Sequence, residues 1–182
     1  MGAMRAGCPE KLVSLLKNEA ENLYLLAGAI ASVDVASSLA LLAIQEKYSR
    51  PKIDNSLSFE VIGGRHPIVE KSIHNQTNSS FIPNDCELNS KKNDGGGKLC
   101  LLTGPNMAGK STYLRQNAII IVLAQAGSYV PADSATIGVV DQLFSRVGAS
   151  DNLSRGHSTF MVEMIETAAI LNQATNVSFV IL

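Results

Sequence analysis

In Lys98-Leu-Cys-Leu-Leu-Thr103-Gly104-Pro-Asn-Met-Ala-Gly109-Lys110-Ser111-Thr112, a continuous apolar run leads into a glycine-rich turn that ends in a lysine and two hydroxyl residues. The run at 98–103 predicts a short buried strand, because it is unbroken and bounded by turn signals. Residues 109–126 carry a helical pattern, so the turn lies between a strand and a helix. The turn itself fits G-x-x-x-x-G-K-[ST], a pattern that needs that setting. Gly104 and Gly109 allow backbone conformations that a β-carbon opposes. After Pro105, which has no N–H, the successive N–H groups of Asn106-Met107-Ala108-Gly109 and beyond can then converge on an anion. The helix that follows directs its positive end at the same point. Lys110 reaches phosphate oxygens as a point charge. Ser111 offers a hydroxyl to Mg²⁺, with Thr112 beside it.

Working outward, residues 142–147 read as a strand, 158–174 as a helix and 177–182 as an apolar, β-branched strand. Upstream, Phe59-Glu60-Val61-Ile62 reads as a strand closed by Gly63-Gly64, while 71–80 and 89–97 are polar and read as exposed loops. Strands alternating with helices imply an α/β fold with a mostly parallel sheet flanked by helices. Residues 10–48 read as a long helical segment, reaching on the order of 58 Å if unbroken at 1.5 Å per residue. Gly28 or Ser32 is a possible break, and the sequence leaves one helix or two open. Arg50-Pro51 marks a boundary, which divides the chain into a helical part, 1–50, and an α/β part, 51–182.

Of the 182 residues, 46% are hydrophobic and 17% charged, a balance that favours a buried core over disorder. Fifteen basic against 16 acidic side chains give a net charge of −1. That is no electrostatic footprint for DNA, so any DNA contact is expected outside this stretch. Cys8, Cys86 and Cys100 are odd in number and widely spaced, as for reduced thiols in a cytoplasmic protein. The apolar stretch 23–44 contains Asp34 and several small polar residues, so it reads as a buried helix and no membrane role is expected.

Four blocks then resemble the MutS family of mismatch-repair ATPases. The first is Thr103-Gly-Pro-Asn-Met-Ala-Gly-Lys-Ser-Thr-Tyr-Leu-Arg-Gln116, with the family's Gly-Pro-Asn-Met core and its Arg-Gln pair on the helix. The second, Arg146-Val-Gly-Ala-Ser-Asp151-Asn-Leu-Ser-Arg-Gly156-His-Ser158-Thr-Phe160-Met-Val-Glu163-Met, is similar to the family's signature segment. The third is Asp34-Val-Ala-Ser-Ser-Leu with Tyr48-Ser-Arg-Pro51. The fourth is Gly64-Arg65-His66-Pro67 with Phe81-Ile-Pro-Asn84. Their shared order over most of residues 30–182 makes the joint match specific, and the bacterial mismatch-repair branch is the nearer one.

The resemblance implies a P-loop NTPase of the ABC-ATPase-like class, preceded by the end of the core (lever) helix. It implies ATP/ADP and Mg²⁺ as cofactors, with Gly104 to Thr112 on the phosphates and Ser111 on the metal. Asn106 would touch the γ-phosphate or the attacking water, or serve only as a turn-former. Phe81 and Ile82 would lie against adenine, or simply pack as a lid. Ser158, with Gly156 and Asp151, would face the γ-phosphate of the other subunit; for Ser158 a plain N-cap, and for Asp151 a turn or interface role, stay open. His66 reads as a structural hydrogen-bonding residue rather than a metal ligand. The family also implies a homodimer, mismatched DNA held by other domains, and downstream repair factors such as MutL. Its strand corresponding to 177–182 ends in an Asp-Glu pair at which this chain stops. No complete catalytic set is therefore expected here: weak nucleotide binding and little hydrolysis, with a nucleotide-sensing, non-hydrolysing module as the alternative to an enzyme. Another ABC-type ATPase is the alternative, disfavoured because Leu153-Ser-Arg-Gly-His lacks a transporter-type Ser-Gly-Gly.

Overall fold

The computed structural model describes residues 7–77, 79–88, 99–146 and 159–182. Two units divide the chain, Met1–Leu42 and Ala43–Leu182. In the first, α1 (Gly7–Asn18) is followed by α2 (Ala20–Gln45), which runs on into the second unit. The break falls at Glu19, not at Gly28 or Ser32. It is slight, since Glu19 N–H still donates to the Leu15 carbonyl at 3.2 Å and the Glu19 carbonyl accepts from Leu23 at 2.9 Å. Gly28 is carried inside α2, where the Ser32 hydroxyl donates to its carbonyl at 2.9 Å. The apolar residues of α2 surround it instead of forming a stripe. By length and composition, with a mean hydropathy of 1.9, it is a helix able to cross a membrane.

The second unit carries a four-stranded sheet in the order β1-β4-β2-β3: β1 (Lys52–Asp54), β2 (Phe59–Gly64), β3 (Asn84–Leu88) and β4 (Ser134–Gly138). β1 runs parallel to β4, whereas β2 is antiparallel to both β4 and β3. A separate parallel pair joins β5 (Leu143–Ser145) to β6 (Phe179–Ile181). The four-stranded sheet is thus mixed, where alternation of strands and helices predicts mostly parallel pairing. The reason lies at residues 55–58. No crossover helix separates β1 from β2; the Asp54 carboxylate accepts from the Ser56 N–H at 2.9 Å and from the Ser56 hydroxyl. That Asx turn reverses the chain, so β2 enters antiparallel to β4.

Two further expectations change. Residues 71–80 read as a loop, but α3 (Pro67–Thr77) occupies most of them. Pro67 stands at its first position, where the missing N–H costs nothing. Polar composition there marks the solvent side of a helix. The predicted strand at 98–103 is not formed over its described part. Leu99 and Leu101 are 85% and 84% exposed, and no ladder partner accompanies them among the described residues. An apolar run becomes a strand only where its backbone groups find such a partner.

The core forms where α4 (Lys110–Gln125) lies on the four-stranded sheet. Gln116, Asn117, Ile120, Ile121 and Ala124 are buried at helical spacing, one stripe of the cylinder. They meet Phe59, Val61, Cys86, Val130, Ala135 and Ile137. Phe179 of β6 reaches the same core, its ring 4.9 Å from that of Phe59. α5 (Thr159–Gln173) precedes β6. Arg65 ties the approach to α3: it pairs with Glu70 at 2.7 Å and donates to the carbonyls of Glu46 and Lys47 at 3.0 and 2.9 Å. Ile120 has no exposed surface. Ile120→Ala should therefore destabilise the unit by about 2–5 kcal/mol. Urea denaturation of the two proteins measures this, and a difference below about 1 kcal/mol would contradict the core assignment.

Candidate functional site

The turn ahead of α4 is shaped by two left-handed residues. Met107 has φ 64° and Gly109 φ 85°, the latter directly before the first helical residue. A side chain at Gly109 would meet open space, so the glycine is required by its backbone angle and not by crowding. No side chain caps the 16-residue helix. Its first intrahelical bond runs from Tyr113 N–H to the Gly109 carbonyl at 2.9 Å, leaving the N–H groups of the first turn facing the loop. Lys110 Nζ donates to the carbonyls of Gly104 and Pro105, both at 2.6 Å. The ammonium group therefore sits on the rim of the turn. Gly104, Pro105, Asn106, Ala108 and Ser111 are exposed, Thr112 is half-buried, and the Met107 side chain projects into solvent. Uncapped amides, left-handed backbone and a cation at one rim fit a phosphate group.

The segment carrying Phe81 and Ile82 leads into β3, which α4 contacts through Tyr113 and Gln116. Phe81 is half-buried, and Ile82 is 80% exposed. The Asn84 side-chain amide donates to the Ile82 carbonyl at 3.0 Å. Two carbonyls just beyond are bound from α4: Asn84 O accepts from Gln116 Nε2 at 3.4 Å and Asp85 O from the Tyr113 hydroxyl at 2.9 Å. Asp85 Oδ1 in turn accepts from Gly63 N–H at 2.7 Å. A β-carbon at Gly64 would stand 2.5 Å from Gln116 Nε2 and 2.9 Å from the Asn84 carbonyl, so the contact needs glycine there. Burial holds the Tyr113 phenol well above its ordinary pKa and also raises the Cys86 thiol beside it. The phenol stays a donor.

The structure thus brings Asn84 and Asp85, just after Phe81 and Ile82, alongside the first two turns of α4. Tyr113, Gln116, Asn84 and Gly64 were not singled out as site residues from the sequence. Complete burial of Gln116 in a helix is legible only from the packed sheet. Asp151, Gly156 and Ser158 lie outside the described residues. A cleft of about 760 Å³ takes in Lys110, Ser111 and Arg146, with Phe59, Leu99, Leu101 and Val180 among its apolar lining.

Residues 100–182 match the family described as MutS domain V. A relative, DNA mismatch repair protein MutS of Rhizobium meliloti (strain 1021), is 56% identical over 173 residues, 95% of this chain. The chain belongs to the MutS family. It spans 19% of the length of that relative. The domain V match takes in the turn at 104–109, α4, α5 and β6, so the MutS resemblance read from the four sequence blocks is borne out.

In the Gly-Arg-His-Pro stretch of this MutS chain, His66 is buried at the start of α3. Its Nδ1 accepts from Val69 N–H at 3.4 Å, and its carbonyl accepts from Glu70 at 2.9 Å. Burial pulls its pKa below the ordinary 6.5; a backbone hydrogen bond opposes this, and the nearby Arg115 charge adds a smaller lowering effect. Because the folded-state value is the lower one, protonation favours the unfolded chain. The contribution of His66 is fully present above pH 6.5 and is lost as pH falls toward the folded-state pKa. His66→Asn, which keeps an acceptor for Val69, should flatten this part of the stability profile. Denaturation midpoints measured at intervals from pH 7.5 down to about pH 5 check it; parallel profiles for the two proteins would refute the assignment.

Proposed function

We propose that this chain is the ATP-binding portion of a DNA mismatch-repair ATPase, with a P-loop fold of the ABC-ATPase-like class. One observation carries the reading: an uncapped helix N-terminus, reached through a left-handed glycine, with a lysine ammonium on the same rim. The amides around Asn106 to Ser111 donate to oxygens of the β- and γ-phosphates, and Lys110 exchanges its two carbonyl contacts for phosphate oxygens. The Ser111 hydroxyl, exposed in the first turn, is the metal ligand this stretch supplies. Bound Mg²⁺ would neutralise charge on the β- and γ-phosphates. Phe81 and Ile82 offer an aromatic face and an exposed apolar side chain to the adenine base. Met107, at the apex, is free to meet a partner surface. Asp151, Gly156 and Ser158 are assigned to the site of the other subunit of a homodimer.

In the longer protein, nucleotide binding is coupled to mismatched DNA gripped by other segments, and MutL-type factors act downstream in the cytoplasm. α2 supports that organisation. A helix apolar on every side is one that is covered on every side, and the matched relative is about five times the length of this chain. Family membership supports placing α2 inside the core of the longer protein and not in a bilayer.

The direct test is Lys110→Ala, titrated with Mg-ATP by calorimetry beside the unaltered chain. Loss of a charge-assisted contact to phosphate should weaken binding by at least about tenfold. Equal affinities in the two proteins would remove the phosphate assignment.

A further inference from the structure

The phosphate turn and the Phe81–Ile82 segment are far apart in sequence, yet one short chain of hydrogen bonds joins them. It starts on α4, three residues after Lys110, where the Tyr113 hydroxyl holds the Asp85 carbonyl at 2.9 Å. One helical turn beyond Tyr113, Gln116 reaches the Asn84 carbonyl at 3.4 Å. Asn84 then holds the Ile82 carbonyl through its side-chain amide at 3.0 Å. Residues 79–83 have no helix or strand of their own. Main-chain ties to Asn84 and Asp85 therefore define where Phe81 and Ile82 stand relative to the helix that presents the phosphate amides.

We infer that Tyr113, Gln116 and Asn84 are positioning residues that set the distance between the base-facing side chains and the phosphate turn, so that they govern recognition of the nucleoside and not of the phosphate chain. This rests on the nucleotide reading proposed above. Three features favour it over a purely structural role. The bonds from α4 go to the first residues of β3, which directly follow the base-facing segment, and not to the turn. Gln116 is completely buried, and its Oε1 has no hydrogen-bond partner, so the amide is held there by its Nε2 contact alone. Gly64 leaves the space that lets Gln116 and the Asn84 carbonyl meet. A ligand of phosphates alone spans only the turn. A nucleoside triphosphate spans both parts, and its affinity depends on their separation.

The experiment compares Mg-ATP with Mg-tripolyphosphate, titrated by calorimetry into the full chain and into Tyr113→Phe and Asn84→Ala. The first substitution removes only a hydroxyl. The second alters an exposed side chain, so the fold is not at risk in both. The unaltered chain should bind ATP more tightly than tripolyphosphate. Each variant should weaken ATP by about fivefold, as for one net hydrogen bond, and leave tripolyphosphate within about twofold. If the unaltered chain binds neither ligand, the nucleotide reading falls and this inference with it. If it binds both equally, or if a variant weakens both ligands alike or neither, the phosphate assignment stands and the positioning role is overturned.

Discussion

An α-helix that begins without a cap leaves its first N–H groups unsatisfied, and that electrostatic deficit at the start of α4 organises the rest of this molecule. The left-handed turn at Gly109 lets the chain enter the helix while its amides still face the loop. Lys110 adds a positive charge at the same rim, where two main-chain carbonyls now hold it. A carboxylate or hydroxyl cap would have satisfied the amides and closed the site. A residue with a β-carbon at 109 would have opposed the turn. The anion site is thus made of backbone, and only a helix fixed in place keeps it aimed.

What fixes the helix is its other face. Ile120, Ile121 and Ala124 are sealed against β2 and β4, and Gln116 and Asn117 carry polar groups into the same buried stripe. Polar groups without partners are costly inside a core, so the Gln116 amide contact with the Asn84 carbonyl specifies one alignment of α4 on β3. The Tyr113 hydroxyl contact with the Asp85 carbonyl reinforces it. The same side chains that seat the helix therefore define where residues 81–83 run. Packing and ligand geometry share their residues here.

Much of this is legible in the sequence, and the parts that are not have physical causes. The glycine-lysine turn, α4, α5 and the strand at 179–181 follow from local pattern, because each is set by near neighbours. The MutS resemblance was legible for the same reason: it sits in contiguous blocks. Strand pairing is not local. The Asx turn at Asp54 reverses β1 into β2, and nothing in the apolar periodicity announces a mixed sheet. Residues 71–77 are polar enough for a loop, but Pro67 and the His66 acceptor start a helix there. The run at 98–103 has the composition of a buried strand, and its described residues lack a ladder to join. The ties from Tyr113 and Gln116 to residues 84 and 85 span about thirty positions and appear only when sheet and helix are packed together.

The central claim is that main-chain amides at the start of α4 bind phosphate, and amide chemical shifts report on those atoms directly. A nitrogen-15 correlation spectrum of the chain, recorded during titration with Mg-ADP, should show its largest shift changes at Asn106 to Ser111. Smaller changes should follow at Ile82 and Asn84, and the amides of α2 should not move. A saturating titration that leaves Gly109, Lys110 and Ser111 unshifted while residues elsewhere respond would contradict the account.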